Sequence, residues 1–478
     1  MPSIDSLKRR LQSGARRSRD SASQLAHNAE RGLRRALGNR RCIAITGFSG
    51  AGKSTLLTSL ITQLQHLPLQ QAQGWYPDIG HCWLSAKLLN TDGSLPDYPY
   101  AQQQQRLQTG EWPEPTRALS RALLEVRVKP GSRWRDLRNK GFVSTQVELW
   151  DYPGEWLMDL PLAVMTHQQW LQDCFTQFNN EPRNAMAPAL YSALLDLDPG
   201  APFEPSVFES LFADYRAFLL ACKARGLHII NPGRYALDEG DLPASLPRFI
   251  PLLSMVNADG SEWPAGSWGA QMAMRYRAYV QDWVKPFLTD VFEQVDHQLV
   301  LVDLLGALGD GKLAMEELRR SLARVLQLFH YGHNSWIDRL LAPKIEQLTF
   351  VATKLDCVLP SQRKALSELM RALVAESVQA ARFESVQVDH LELSAIAGTH
   401  LGERDGERAL WVETPAGPAW LKHPHLPRGW PTDNDWTRLA DWAPPRLDPP
   451  PLADPSHSTW PSIHMDHLCQ LLLKELMP

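Results

Sequence analysis

Cys42-Ile43-Ala44-Ile45-Thr46-Gly47-Phe48-Ser49-Gly50-Ala51-Gly52-Lys53-Ser54 is a short apolar run that opens into a glycine loop and closes on Lys-Ser. The pattern G-x-x-x-x-G-K-S needs a strand before it and a helix after it, and the residues from Thr55 to Leu64 read as that helix. Gly47, Gly50 and Gly52 let the backbone bend so that successive amides point inward. The helix N-terminus adds its dipole to the same anion site. Gly47, Ser49, Gly50, Ala51, Gly52, Lys53, Ser54 and Thr55 are therefore expected to cradle phosphate. Lys53 reaches the β and γ phosphates, and the Ser54 hydroxyl sits on Mg²⁺.

Three later stretches fall in the order that such a loop requires. Val147-Glu148-Leu149-Trp150-Asp151-Tyr152-Pro153-Gly154-Glu155 is a strand ending in D-x-x-G. Asp151 would hold a Mg²⁺-bound water there, and the Gly154 amide would meet the γ-phosphate. Leu348-Thr349-Phe350-Val351-Ala352-Thr353-Lys354-Leu355-Asp356 is a strand running into T-K-x-D. A carboxylate at Asp356 accepts two hydrogen bonds from guanine N1–H and its exocyclic amine. Adenine would leave that carboxylate unpaired, which makes the residue a filter. The Lys354 stem would lie across the base. Leu391-Glu392-Leu393-Ser394-Ala395-Ile396 is a strand followed by S-A, where a backbone amide of Ser394, Ala395 or Ile396 would meet guanine O6. Between the first two motifs, Trp112-Pro113-Glu114-Pro115-Thr116-Arg117 precedes the strand-like run from Ala122 to Val128. Thr116 is the expected switch threonine completing the Mg²⁺ shell with Ser54 and Asp151, with Thr109 and Thr91 as competitors.

The composition is ordinary for a globular protein that buries a core. The chain has 478 residues, 44% of them hydrophobic, and a net charge of −4. Bulk charge therefore argues against a nucleic-acid binder, although the first forty or so residues are basic. Its six cysteines are dispersed without a C-x-x-C pair, which argues against a zinc site or disulfide framework and fits a reducing cytosol. Seventeen tryptophans include Trp112, Trp263, Trp430 and Trp460, each followed by proline and read as anchors for long loops.

These residues, in this order, resemble the translation-factor-related class of P-loop GTPases. More closely, the loop Gly47 to Ser54, Asp151-Tyr152-Pro153-Gly154-Glu155-Trp156-Leu157 and Thr353-Lys354-Leu355-Asp356 resemble the YcjX family, a bacterial group of nucleotide-binding proteins. The class resemblance covers the core segments, and the family resemblance covers nearly the whole chain. The resemblance implies an α/β fold with a Ras-like, three-layer P-loop core, a mostly parallel sheet and a large helical insertion after D-x-x-G. It also implies GTP or GDP as ligand, Mg²⁺ as cofactor, and an association with stress responses at the cell envelope. Two residues depart from the class. Thr353 stands where many GTPases have Asn, and Glu155 stands where Ras-like enzymes place a water-orienting Gln. Lys53, Thr116, Gly154 and Glu155 are the expected catalytic set. Hydrolysis is expected to be slow without a supplied positive charge, for which Arg117 is a nearby source in cis.

Residues 1–40 read as a basic helical arm, suited either to an anionic membrane surface or membrane protein, or to simple solvation beside the core. Residues 41–154 read as the first part of the GTPase core, and 155–297 as a helical insertion with helical spacing at Ala163 to Gln177, Ser206 to Arg225 and Gly269 to Phe287. Residues 298–400 resume the core, and 401–461 form a Pro- and Trp-rich insertion with a hairpin around Pro415-Ala416-Gly417. Residues 462–478 supply the last helix. A cytoplasmic location, peripheral at the inner membrane through the arm, is expected. Two other functions remain open on sequence: a P-loop phosphotransferase with Arg133, Arg135 and Arg138 as its lid, and a membrane-associated, nucleotide-stabilised interaction module with little turnover.

Overall fold

Strand β1, Arg40–Gly47, is apolar on both faces, and Cys42, Ile43, Ala44 and Ile45 are all buried. Cys42 and Ala44 enter one hydrophobic cluster while Ile43 and Ile45 enter another, as the two-residue period of a strand dictates. Such a strand belongs in the middle of a sheet covered on both sides. In the computed structural model it does. The structure describes residues 40–48, 50–71, 82–91, 93, 95–129, 142–237, 242–256, 263–327, 347–383, 387–414, 417–423, 425–450 and 459–473. The basic arm before Arg40, Ser49, the lid arginines Arg133, Arg135 and Arg138, and the tip Pro415-Ala416 lie outside the described residues.

Further strands are β2 Trp83–Leu89, β3 Ser120–Val128, β4 Val143–Asp151, β5 His297–Val302, β6 Gln347–Ala352 and β7 Gln387–Glu392. They form a sheet in the order β2-β3-β4-β1-β5-β6-β7. β4, β1, β5, β6 and β7 run parallel, and β2, β3 and β4 pair antiparallel. One face is covered by the helices Lys53–Gln71 and Met465–Leu473, the other by Leu304–Asp310, Lys312–Gln327 and Arg363–Phe383. This is the expected three-layer Ras-like architecture with the β3–β4 hairpin in place.

The sheet adds an element that the sequence reading did not contain: β2 extends the antiparallel edge beyond β3. The helix Tyr100–Gln108 is a second unforeseen element. The phosphate-loop helix also continues past Leu64 and Pro68 to Gln71. The expected hairpin near Gly417 is β9 Glu407–Val412 with β10 Ala419–Trp420. β8 His400–Arg404 joins it through a turn at Asp405-Gly406, both at positive φ.

Residues after Glu155 build a second aromatic-rich core from Trp170, Phe208, Tyr235, Phe249, Trp268 and Tyr279 on helices His167–Phe178, Pro205–Ala224 and Trp268–Tyr279 and on the connecting loops. Two ion pairs fasten this part to the helix Lys312–Gln327. Arg183 meets Glu317 at 2.6 Å, both fully buried, and Arg324 meets Asp173 at 2.6 Å. Among the described residues no helix is long and apolar enough to cross a membrane.

Candidate functional site

Parallel strands place the loops that follow them on one edge of the sheet, where ligands gather in open α/β folds. Here those loops follow β1, β4, β5, β6 and β7. At the first, Gly47 has to be glycine: a Cβ would lie 2.6 Å from the Leu301 carbonyl oxygen of β5. Gly50 and Gly52 take φ of +79° and +84°, which L side chains rarely adopt. The helix then starts at Lys53, with Leu56 N–H donating to Gly52 at 2.9 Å. Lys53 Nζ donates to the Gly47 carbonyl at 2.8 Å. Burial pushes its ammonium below the ordinary value, opposed by the charges of Glu155 and Asp151.

Ser54, Thr116 and Asp151 meet. Thr116 Oγ1 donates to both carboxylate oxygens of Asp151, at 3.0 and 2.8 Å, and stands 3.4 Å from Ser54 Oγ. Ser54 Oγ also donates to the Glu114 carbonyl at 2.8 Å. Burial raises the Asp151 carboxyl to about 6, against the pull of Lys53 and the Thr116 hydroxyl. Two hydroxyls and a carboxylate are hard oxygen donors. They suit Mg²⁺, which takes few protein ligands and completes its shell with water and phosphate oxygen. Neither competing threonine lines the cavity described below: Thr109 Oγ1 donates to the Arg106 carbonyl at a helix end, and Thr91 lies apart from it.

Gly154 approaches the phosphate loop so closely that a Cβ would lie 2.0 Å from the Gly47 carbonyl oxygen. Glu155 follows it and opens the short helix Glu155–Asp159. Its Oε1 is 2.9 Å from Lys223 Nζ, at the end of the helix Pro205–Ala224. Burial works against the Glu155 charge, but Lys223 and Lys53 outweigh it and hold the carboxyl below its usual range. Asp159, in the same short helix, is tied to the region beyond Lys223. It accepts from Gly233 N–H at 2.6 Å, Arg234 at 2.9 Å and the Tyr279 hydroxyl at 2.6 Å.

The other end of the edge is built around Asp356. Ser394 Oγ donates to its Oδ1 at 2.6 Å and Gly398 N–H to its Oδ2 at 3.0 Å. Each oxygen so keeps a lone pair for a further donor. Burial raises the carboxyl, and these two bonds oppose the rise. Thr353 Oγ1 is buried without a hydrogen-bond partner. Lys354 takes a left-handed φ of 63° and its Nζ lies 2.5 Å from Asp303 Oδ2, which fixes the stem at this end of the edge. The Ser394 amide, expected for O6, is already given to the Ile463 carbonyl at 3.0 Å, while the hydroxyl of the same residue holds Asp356. Ala395 and Ile396 line the opening beside it.

A cavity of about 490 Å³ joins the two ends. Lys53, Ser54 and Thr55 line it at one side, Thr353, Lys354 and Asp356 at the other, and Thr116 and Glu155 between. The volume is within the range of about 300–1,000 Å³ typical of small-ligand sites. Asp151 and Gly154 sit behind the lining, Asp151 through Thr116 and Gly154 against Gly47. A family model described as the YcjX-like family, DUF463, matches residues 42–477. The chain belongs to that family. Among its relatives, the Ras-like GTPase YcjX of Escherichia coli (strain K12) is 30% identical over 383 residues, covering 75% of this chain and 78% of that protein. The Ras-like GTPase YcjX of Shewanella oneidensis is 29% identical over 486 residues, covering 95% and 96% respectively.

Within this YcjX-like chain, several cavity residues had no signal in the sequence. Lys223 arrives from a helix about seventy positions downstream of Glu155 in a segment without motif. Pro445, Arg446 and Leu447 come from the Pro-rich stretch, and Leu447 is fixed there by Trp112, whose Nε1 donates to its carbonyl at 2.6 Å. That contact was foreshadowed only by the Trp-Pro pattern. Arg117 lines the cavity from an exposed position.

Proposed function

We propose that this chain binds GTP with Mg²⁺ and hydrolyses it to GDP and phosphate as a nucleotide-dependent switch. One observation carries the reading: a single cavity is lined by Lys53 at one end and Asp356 at the other. A triphosphate and a purine on one molecule need that pairing. The setting of Asp356 supports guanine as the base, since Ser394 and Gly398 each hold one carboxylate oxygen and leave both a lone pair for the two donors of a guanine edge. The unpartnered Thr353 hydroxyl supplies a further polar contact at the base end. The names of the two relatives agree with this reading.

In the proposed reaction Gly50, Ala51, Gly52 and Lys53 bind the phosphates, with Ser49 and Thr55 completing the loop. Ser54, Thr116 and Asp151 would hold Mg²⁺, which when bound shields the phosphate charge. The Gly154 amide marks the γ-phosphate position, and Lys53 offsets negative charge there. Glu155 is a carboxylate engaged by Lys223 and not a water-orienting amide, so turnover is slow unless a positive charge is supplied.

We further infer that residues 155–297 read the nucleotide state. The Asp159 knot supports this, because any shift of the D-x-x-G turn is passed to Gly233 and Arg234. The core is read as 41–154 with 298–400 and 462–478. The family's association with envelope stress makes a cytoplasmic switch, peripheral at the membrane through residues 1–40, its proposed setting. Titrating the purified chain with GTP, GDP and ATP, then following phosphate release with Mg²⁺, tests the reading. Submicromolar GTP and GDP binding at least about 100-fold tighter than ATP is expected. Equal affinity for ATP, or release no faster than buffer, would contradict it.

A further inference from the structure

We propose that Lys223, carried in by the helical insertion, is a ligand of the terminal phosphate and a catalytic residue for its transfer to water. The inference rests on the GTP reading above and adds to it a second positive charge in cis, beside that of Lys53 on the glycine loop.

The position of Lys223 is set by contacts at the phosphate end of the cavity. The Gly47 carbonyl oxygen takes Lys53 Nζ at 2.8 Å and is also the atom against which Gly154 rests. Glu155 is the next residue, and Lys223 Nζ lies 2.9 Å from its carboxylate. Lys53, Gly154, Glu155 and Lys223 therefore surround one point, and Lys223 lines the same cavity as the loop.

The cation is also held in place. Its ammonium donates to the Ala236 carbonyl at 3.0 Å, and the His228 ring stacks on Phe48 of the glycine loop at 4.3 Å. Gly233 packs so near the Glu155 carbonyl that a Cβ would lie 2.0 Å from it. The segment from Lys223 to Leu237 is thus clamped to both phosphate-facing loops. A charge fixed in that way needs little rearrangement when negative charge develops. The side chain of Lys223 is 23% exposed, whereas Arg117 and Arg446 are exposed at the rim. Glu155 holds Lys223 in the structure, and a γ-phosphate carrying two negative charges would compete for it.

In the step itself, a water oxygen forms a bond to Pγ while the bond from Pγ to the β–γ bridging oxygen breaks. The electron pair leaves with the β-phosphate of GDP, and both water protons end on inorganic phosphate, one kept on the attacking oxygen and one passed to a γ-phosphate oxygen. Lys223 gains and loses no proton. It offsets the charge on the γ-phosphate oxygens and the bridge.

The test measures single-turnover GTP hydrolysis, and the Kd of GDP and of a non-hydrolysable GTP analogue, for the full chain and for Lys223→Met and Lys223→Arg. Lys223→Met is expected to slow hydrolysis about 100-fold. It should also weaken the analogue about tenfold while changing GDP affinity less than about threefold. Lys223→Arg is expected to recover at least about tenfold of the lost rate. Hydrolysis by Lys223→Met within about threefold of the native rate would overturn the assignment. So would equal weakening of GDP and analogue with a lowered melting temperature, because Lys223 would then only fasten the insertion. A native chain that binds neither nucleotide would instead overturn the GTP reading itself and the Lys223 role with it.

Discussion

Gly154 shows how a single absent side chain sets the site. Its φ of −62° suits any residue, so its identity is fixed by space alone: the Gly47 carbonyl lies where a methyl group would go. Gly154→Ala must push the D-x-x-G turn off the phosphate loop. It is expected to lower stability by about 1–3 kcal/mol in urea unfolding and to weaken nucleotide binding at least about tenfold. Unchanged affinity in a titration would show that the turn does not report on the phosphate end. His228 gives a second residue-scale test. Burial holds its imidazole down to about 4, with Glu317, Glu155 and Asp303 pulling up and Arg183 pulling down. The unfolded chain takes up this proton near pH 6.5 and the folded chain does not until near 4. Its contribution is therefore full above 6.5 and is lost as the pH falls through that window. His228→Phe keeps a ring against Phe48 and removes the titration. Between pH 7 and 5 the native chain should lose about 2 kcal/mol more stability than the variant. Parallel pH profiles in urea melts would refute this.

At the scale of elements, what was readable followed from the two-residue and 3.6-residue periods. β1 and β5 announce buried central strands through the unbroken apolar runs Cys42 to Ile45 and Leu299 to Val302. Lys312–Gln327 and Arg363–Phe383 announce themselves by an apolar face. β2 did not, since Leu84 is 36% exposed and no alternation survives at that edge. Tyr100–Gln108 was hidden by a run of glutamines with no apolar stripe. The Asp405-Gly406 turn carried a known hairpin signature but lay in a Pro- and Trp-rich stretch where composition suggested loop. The joint between insertion and core could not be read at all, because Arg183 and Glu317 are 134 positions apart. Glu317 also accepts from Ile229 N–H at 2.8 Å, so it fastens the insertion twice. Glu317→Ala leaves Arg183 buried and unpaired and is expected to cost about 3–5 kcal/mol in chemical unfolding. A loss below about 1 kcal/mol would mean that the joint is held by apolar packing alone.

Across the whole molecule, two distant stretches converge on one cavity, and the sequence order of the motifs was enough to anticipate it. Lys53 and Asp356 lie 303 positions apart by number (356 − 53) and are brought together because β1 and β6 flank β5 in one parallel sheet. Parallel strands end at the same edge, so motifs that each follow a strand must share a pocket. The covers of that pocket were not anticipated. Lys223 and the strap Pro445 to Leu447 come from insertions whose docking depends on long-range contacts and not on any local pattern. The central claim, that one guanine nucleotide spans the cavity, is tested most directly by exchanging the base. Titration and turnover of Asp356→Asn with GTP and with xanthosine triphosphate should show GTP weakened by about 100-fold or more and xanthosine triphosphate bound and hydrolysed in its place. Unaltered GTP affinity in that variant would contradict the claim.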